Sequence, residues 1–250
     1  MVRRTMWLGL VHIASVRASA TVRPMFERFS MVTGTTRALT HGEARFTLWC
    51  DAVPAGLVGT HFGVVHAGPV VLAVSTGTFP LQPGMVFCTA GDLSVRGEGQ
   101  VLGVTHHDGG RGFFQLAGPA EERGRLRYID GCTDSLLIAP QVRGEPCLNH
   151  LHFPPGVEQT FHTHPSFRAG LVLRGHGHCD GDGGRVPLLA GDAFHIPADA
   201  RHRFVTTDSS MDVIAFHPDS DFGPTHDDHP MVNRTMVDGV SARHLTSIRT

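Results

Sequence analysis

Read for its hydrophobic and polar positions, the chain shows little of the 3.6-residue period that builds amphipathic helices. Short apolar stretches rich in Val, Ile, Phe and Leu recur instead, separated by Pro-Gly, Gly-Asp and Gly-Gly pairs. Each stretch has the length of one strand, and the glycine-bearing pairs let the backbone reverse between strands. At short, even spacing this pattern predicts an all-β protein, a barrel or a sandwich.

The stretches also repeat. Pro80–Phe87 (Pro-Leu-Gln-Pro-Gly-Met-Val-Phe) resembles Pro187–Phe194 (Pro-Leu-Leu-Ala-Gly-Asp-Ala-Phe), and upstream Val71–Gly77 resembles Leu171–Gly177. The first match sets the copies 107 residues apart and the second 100. That difference predicts seven extra residues in the turn-rich Cys179–Arg185 hairpin of the second copy. A duplicated β domain follows: an N-terminal extension at 1–34, a first barrel at 35–118, a second at 126–218, and a tail at 219–250. Gly118–Gly124 reads as the linker.

Composition narrows the chemistry. The 250 residues are 41% hydrophobic, enough for a substantial core in one large domain or two ordinary ones. A formal net charge of -2 leaves no electrostatic footprint for nucleic acid or an anionic membrane. No apolar run approaches a membrane span, so a soluble, cytoplasmic protein is expected. The N-terminus qualifies that. Arg3 and Arg4, the apolar Met6–Ala14 and the Ala18-Ser19-Ala20 box have the outline of an export signal. His12 and Arg17 interrupt it, and an early start, with the extension disordered or the chain beginning at Met25 or Met31, is the other reading. All 21 basic residues are Arg, which excludes a Schiff-base lysine and a P-loop lysine. The five cysteines are odd in number and form no CxxC pair, so reduced thiols are expected. Histidine, at 18, is abundant, and imidazole is a common ligand for divalent transition metals.

Three histidines stand out. His162 and His164 are two apart, so in a strand they project from one face. His202 follows thirty-eight residues after His164, beyond Gly191-Asp192 and Ile196-Pro197. If the intervening strands fold back as hairpins, the third imidazole meets the first two inside one barrel. In the repeat frame Phe62 and Val64 stand where His162 and His164 stand, and Val95 where His202 does. The first copy is then a scaffold without ligands, or one wall of a pocket.

These segments resemble the two cupin motifs. Gly156, His162, His164 and Gly175 fall on the first (Gly, five residues, His-x-His, a Glu, and a closing Gly), with Arg168 at the Glu position. Gly191, Pro197 and His202 fall on the second (Gly, five residues, Pro-x-Gly, two residues, His), with Asp199 at the second Gly. The resemblance implies tandem cupin jelly-roll barrels, a bicupin whose first barrel has lost its site. It also implies one divalent metal ion on His162, His164 and His202; zinc and iron suit the ligands, and nickel, manganese and copper stay open. Arg168 either points inward to clamp a substrate carboxylate or snorkels to the surface. His195, on the strand leading to His202, either lines the pocket as acid or base or is a satisfied core group.

Other polar residues read more plainly. His176 and His178 are expected in solvent, and His150 and His152 share a strand face that the sequence does not orient. Cys179 is a buried or surface thiol, or a reactive one. The polar His217–Asp221 and His226–Pro230 segments either cap the barrel mouth, add a carboxylate behind the metal ligands, or form a solvated tail.

The site implies an enzyme acting on a small amino-acid-derived or carboxylate-bearing metabolite, as an oxygenase with iron or in a redox-neutral rearrangement with zinc. A non-catalytic metabolite-sensing cupin is the contrasting class. A narrower similarity, carried by Tyr128–Cys132, Cys147–Phe153 and His217–Asn233, is to the cupin modules of hydrazine synthetases, which form an N–N bond from an activated hydroxylamine ester. Their activating synthetase module is absent from this chain, so a separate partner would supply it. A homodimer is compatible with either class.

Overall fold

The computed structural model describes residues 26–107, 109, 113–140, 142–220, 232 and 234–247. The signal-like N-terminal outline and the His226–Pro230 segment lie outside the described residues. The architecture is all-β, with two tandem jelly-roll barrels. After β1 (Glu27–Ser30), the first barrel takes β2 (Thr36–His41), β3 (Ala44–Cys50), β4 (Thr60–Ala67), β5 (Val70–Val74), β6 (Gly77–Leu81), β7 (Val86–Ala90), β8 (Leu93–Gly97), β9 (Gln100–His106) and β10 (Gln115–Ala117). Its sheets run β10-β7-β4-β9-β3-β2 and β6-β5-β8.

The second barrel takes β11 (Leu126–Arg127), β12 (Thr133–Ile138), β13 (Cys147–Phe153), β14 (Arg168–Gly181), β15 (Gly184–Leu189), β16 (Asp192–Ile196), β17 (His202–Val205) and β18 (Met211–His217). Its larger sheet runs β1-β16-β14-β18-β13-β12-β11, and β15 and β17 flank the far half of β14. One 14-residue strand therefore serves both faces. It turns the corner at Gly175, whose φ is 73° and where a Cβ would lie 1.9 Å from the Ser210 carbonyl oxygen. Only glycine fits.

Residues 27–30, assigned by sequence to the extension, are a strand of the second barrel: Phe29 pairs with Ala193 and Glu27 with His195. The chain thus crosses to the second barrel before it builds the first.

Each barrel has its own core, with Trp49, Leu72, Leu81 and Phe87 filling the first and Phe153, Leu188, Phe194 and Met211 the second. A third cluster joins them, in which Phe46 and Phe62 from the first barrel meet Phe216 from the second at centroid distances of 5.7 and 5.2 Å. Each such fully buried ring contributes roughly 1.5–3 kcal/mol. Strands at this junction are buried on both faces, which is why β18 reads as the unbroken run Val213-Ile-Ala-Phe216 rather than an alternation.

The strand register corrects the repeat alignment. Val65 pairs with Val101 just before a bulge, and Val172 pairs with Val213 just before the matching bulge. Val71 pairs with Pro80 as His178 pairs with Pro187. The two copies are thus 107 apart through β4 to β7, and the β5–β6 and β14–β15 hairpins have equal turns. Earlier, Cys50 pairs with Leu102 as His150 pairs with Ile214, an offset of 100. The seven additional residues therefore sit between β13 and β14, in the segment that carries His162 and His164, and not in the Cys179–Arg185 hairpin. Phe62 and Val64 correspond to Ala169 and Leu171 and pack in the inter-barrel core. Leu93, opposite Val74, takes the place of His202, opposite Gly181; Val95 corresponds to Phe204. The first barrel's β3–β4 segment is shorter by these residues and carries none of the three imidazoles.

Candidate metal centre

The β13–β14 loop reaches across the barrel to β17. Gln159 anchors it: its N–H donates to the Phe204 carbonyl at 3.1 Å and its side-chain oxygen accepts from the Phe204 N–H at 3.2 Å. Three residues on, His162 and His202 bond each other's backbone reciprocally at 3.0 Å. The Asp199 N–H then ties the far end to the His164 carbonyl at 2.7 Å. Asp199 has a φ of 57°, which accounts for a glycine at this place in the usual motif; Asp tolerates the left-handed region better than most residues.

These ties bring the three imidazoles together. Ring centroids lie 4.6 Å apart for His162 and His202, 5.0 Å for His162 and His164, and 5.2 Å for His164 and His202. One nitrogen of each lies within 4.8 Å of the others.

Their protonation suits a metal. His162 Nδ1 is 2.9 Å from the Thr160 carbonyl and His202 Nδ1 is 2.8 Å from the Ala200 carbonyl. A carbonyl only accepts, so each Nδ1 carries the hydrogen and each Nε2 presents a lone pair. His202 Nε2 is buried and has no hydrogen-bond partner among the described residues. An orphaned buried acceptor is costly, and an ion on it would remove the cost. Burial, reinforced by Arg168, His202 and His162, pushes the His164 imidazole down to about 3. Burial also pushes His202 down to about 4, against the opposing Ala200 hydrogen bond. Both rings are neutral at pH 7, as metal ligands must be. The group fits one divalent ion.

Arg168 opens β14 beside this cluster. Its Nη1 donates to Ser166 Oγ at 2.6 Å, the Phe167 carbonyl at 2.9 Å and the Ser166 carbonyl at 3.1 Å, while its Nε is buried without a partner among the described residues. It lines a cavity of about 390 Å³ together with the three histidines. Phe153, Phe194, Ile196 and Phe204 make the apolar wall, and Tyr128, Asp134, Asn149 and His217 add polar groups. The guanidinium does not snorkel away.

Residues 149–217 match the family model of the cupin domain. The match falls within the second barrel. In sequence, the chain matches none of the curated proteins. Among solved structures, it is similar to a cupin 2 conserved barrel domain protein from Leptotrichia buccalis (TM-score 0.55, 12% identity, 76% of this chain and 95% of that one). It is also similar to the Ylba protein from E. coli (0.52, 16%, 79% and 93%) and to salicylate 1,2-dioxygenase from Pseudaminobacter salicylatoxidans (0.51, 12%, 74% and 76%). At these identities the likeness is one of fold.

The structure places several residues of the second barrel whose facing the sequence left open, and it moves His195, a candidate catalytic group, off the cavity. His195 does not line the cavity: Phe194 and Ile196 do, and alternation along β16 turns His195 toward Phe167, 5.7 Å away between ring centroids. It is a half-buried group at the inter-barrel junction. His150 and His152 also face outward, where both bond Asp212 Oδ1, at 2.7 and 3.0 Å, while Asn149, Leu151 and Phe153 face the cavity. All five cysteines are free and buried, and burial pushes the Cys179 thiol up to about 12, so it is inert.

Asp130 was not legible as a site residue, whereas the His217–Asp221 segment was one of those expected at the barrel mouth or in solvent. The Asp130 carboxylate accepts from the Thr160 N–H at 2.6 Å, which holds the carbonyl that orients His162. Asp130 and Gly131 have φ of 55° and 80°, the turn that an Asp-Gly pair favours. His217, Asp219 and Ser220 line the cavity where β18 ends, and Ser166 Oγ donates to Asp219. Burial holds the His217 imidazole well below its ordinary value, with Arg168 and His164 adding to the effect. From the first barrel, His41 Nε2 comes within 3.6 Å of Asp219 Oδ2. No helix among the described residues is long and apolar enough to cross a membrane.

Proposed function

We propose that this protein is a mononuclear metal-dependent enzyme that acts on a small carboxylate-bearing metabolite in the cavity of the second barrel. One observation carries the reading: three imidazoles, two of them oriented by backbone carbonyls, converge on the wall of a cavity that also holds a guanidinium with a free buried donor. His162, His164 and His202 would hold the ion. When bound, it supplies Lewis acidity or, as iron, oxygen chemistry. Three neutral ligands leave its double charge uncompensated, which favours an anionic substrate. Arg168 binds the carboxylate and fixes its direction. The apolar wall of Phe153, Phe194, Ile196 and Phe204 limits water around the reacting group.

Iron would make the protein an oxygenase, and salicylate 1,2-dioxygenase is one of the proteins that share its fold. Zinc would suit a redox-neutral rearrangement of the hydrazine-synthetase kind. That branch is supported by Tyr128, Asn149 and His217, one from each segment of the narrower resemblance, which all line the cavity. A separate synthetase would then supply the activated substrate.

The test is metal analysis of the isolated protein beside His164→Ala, followed by turnover assays. One equivalent of iron or zinc in the parent, lost in the variant, is expected, with oxygen uptake for iron or isomerised product for zinc. Equal metal content in both proteins would remove the centre. Metal and tight ligand binding without turnover would make it a sensing cupin.

A further inference from the structure

We propose that the substrate is a carboxylate whose far end is uncharged, apolar and about the size of one ring, and that Ala215 sets how large that end can be. This rests on the reading of the cavity as the substrate site, with Arg168 on the carboxylate, and names the class of molecule that the rest of the cavity admits.

The strand register gives the cavity a direction. Arg168 pairs with Ile196 on β16 and, one step beyond the Ala169–Phe216 pair, lies beside His217 on β18. Two residues further along, Gly170, Ala215 and Asn149 stand side by side on β14, β18 and β13. The next step brings Val213 and Leu151 together, and Phe153 follows at the far end. Arg168, Ala215, Val213 and Phe153 all line the cavity. Same-face positions recur about every 7 Å along a strand, so a ligand that starts at the Arg168 row meets Ala215 one step on and Val213 about 13 Å away.

The head of the cavity keeps free donors. Asp219 meets Arg168 through Ser166 Oγ, and among the described residues Nη1 is the one guanidinium nitrogen with a hydrogen bond. The polar groups past that row bond one another. Asn149 Nδ2 donates to both oxygens of Asp134, at 3.0 and 2.9 Å, and its Oδ1 accepts from the Cys147 thiol at 3.2 Å. Gln159 is tied to the Phe204 backbone and to the Cys132 sulfur at 3.5 Å. Groups so paired gain little from a polar ligand. Asp134, opposite Leu151, also disfavours a second carboxylate at this end.

Carbon lines what is left. The Phe204 ring lies 5.1 Å from Phe153 and 5.9 Å from Phe194 between centroids, and Phe26 stacks on Phe194 at 5.7 Å. Phe194 can lie over the sheet because residue 170 is glycine: a Cβ there would sit 2.8 Å from Phe194 Cζ. These rings, with Val213 and Leu151, face the open cavity, and an apolar ligand end removes their surface from water. At about 390 Å³ the cavity is near the lower end of the roughly 300–1,000 Å³ of ligand sites, room for a short acid with one ring. Ala215, small and on the middle strand, leaves the space that such a ring fills.

The experiment is calorimetric titration of the zinc-loaded full chain with 3-phenylpropanoate, propanoate, glutarate, 5-aminopentanoate and 3-phenylpropan-1-ol, with Ala215→Leu in parallel. The parent should bind 3-phenylpropanoate at least about 10-fold more tightly than propanoate or either acid with a charged far end, the usual effect of burying one ring. A dissociation constant beyond the millimolar range counts as weaker. Ala215→Leu should bind 3-phenylpropanoate at least about 10-fold more weakly than the parent and keep its zinc equivalent. The comparison of ligands on the parent stands even if the variant fails to fold. Equal binding of 3-phenylpropanoate and propanoate, or tighter binding of glutarate or 5-aminopentanoate, overturns the apolar end; if that binding is lost in Arg168→Ala, the proposed function stands without it. Unaltered 3-phenylpropanoate affinity in a zinc-retaining Ala215→Leu overturns the role of Ala215. Equal binding of 3-phenylpropan-1-ol and 3-phenylpropanoate instead removes the carboxylate from the proposed function, and no binding of 3-phenylpropanoate at millimolar concentration overturns this proposal outright.

Discussion

Acid should weaken the metal-free protein through the same two imidazoles that favour metal. In the folded chain His164 and His202 titrate at about 3 and about 4, chiefly because burial disfavours their charged forms. In the unfolded chain both return to about 6.5. As pH falls through 6.5 the unfolded chain takes up protons that the folded chain refuses, so stability falls with falling pH. The loss begins near pH 6.5 and levels off once the folded rings also titrate, near 4 and 3. At pH 5 an unfolded histidine is protonated by about one and a half pH units, worth about 2 kcal/mol for each ring and about 4 kcal/mol for both. The assay is urea unfolding of chelator-treated protein at pH 7.5 and 5.0, beside the His164→Gln/His202→Gln double variant. Other histidines contribute to both proteins, so the difference between their two pH responses isolates this pair. A parent response larger by about 2–4 kcal/mol is expected. Equal responses within about 0.5 kcal/mol would refute the burial argument, and with it the reason given for neutral ligands.

Three further outcomes follow from the packing. Phe216→Ala removes a ring that meets Phe46, Phe62 and Phe167 between the barrels, and thermal unfolding should show a loss of about 3–5 kcal/mol. Asp130→Ala should keep one metal equivalent and weaken its affinity about 10- to 100-fold in competition with a chelating dye, because it frees the Thr160 carbonyl that orients His162. His195→Ala should leave metal content and ligand affinity within about 2-fold, since its ring lies on the far side of the sheet from the cavity.

The fold class and the three converging histidines were legible because they depend on local pattern. Short apolar stretches between glycine turns can only be strands, and His162 and His164 at a spacing of two must share a face if extended. Gly175 and Gly191 were legible for a related reason: both have positive φ, where a side chain is strained. Which face each strand presents was another matter. β18 is buried on both sides and β16 is at least partly covered on both, so the sequence does not by itself tell His195, at the barrel junction, from Phe194, in the cavity. The same ambiguity misplaced the seven extra residues, because apolar strands of one repeat resemble their neighbours as well as their true counterparts; only hydrogen-bond register separates Val71 matched to Leu171 from Val71 matched to His178.

By itself, the sequence determined an all-β duplication and the residue types of a tri-imidazole site, since period and spacing are properties of neighbours along the chain. Tertiary structure decided what lies around that site. It set Arg168 on the cavity, placed Asp134 and Asn149 on its wall, and brought His41 of the first barrel to Asp219. Those contacts join residues from 15 to 178 positions apart, and no local pattern encodes them. They exist because two sheets buried on both faces had to pack against each other to remove their apolar surface from water.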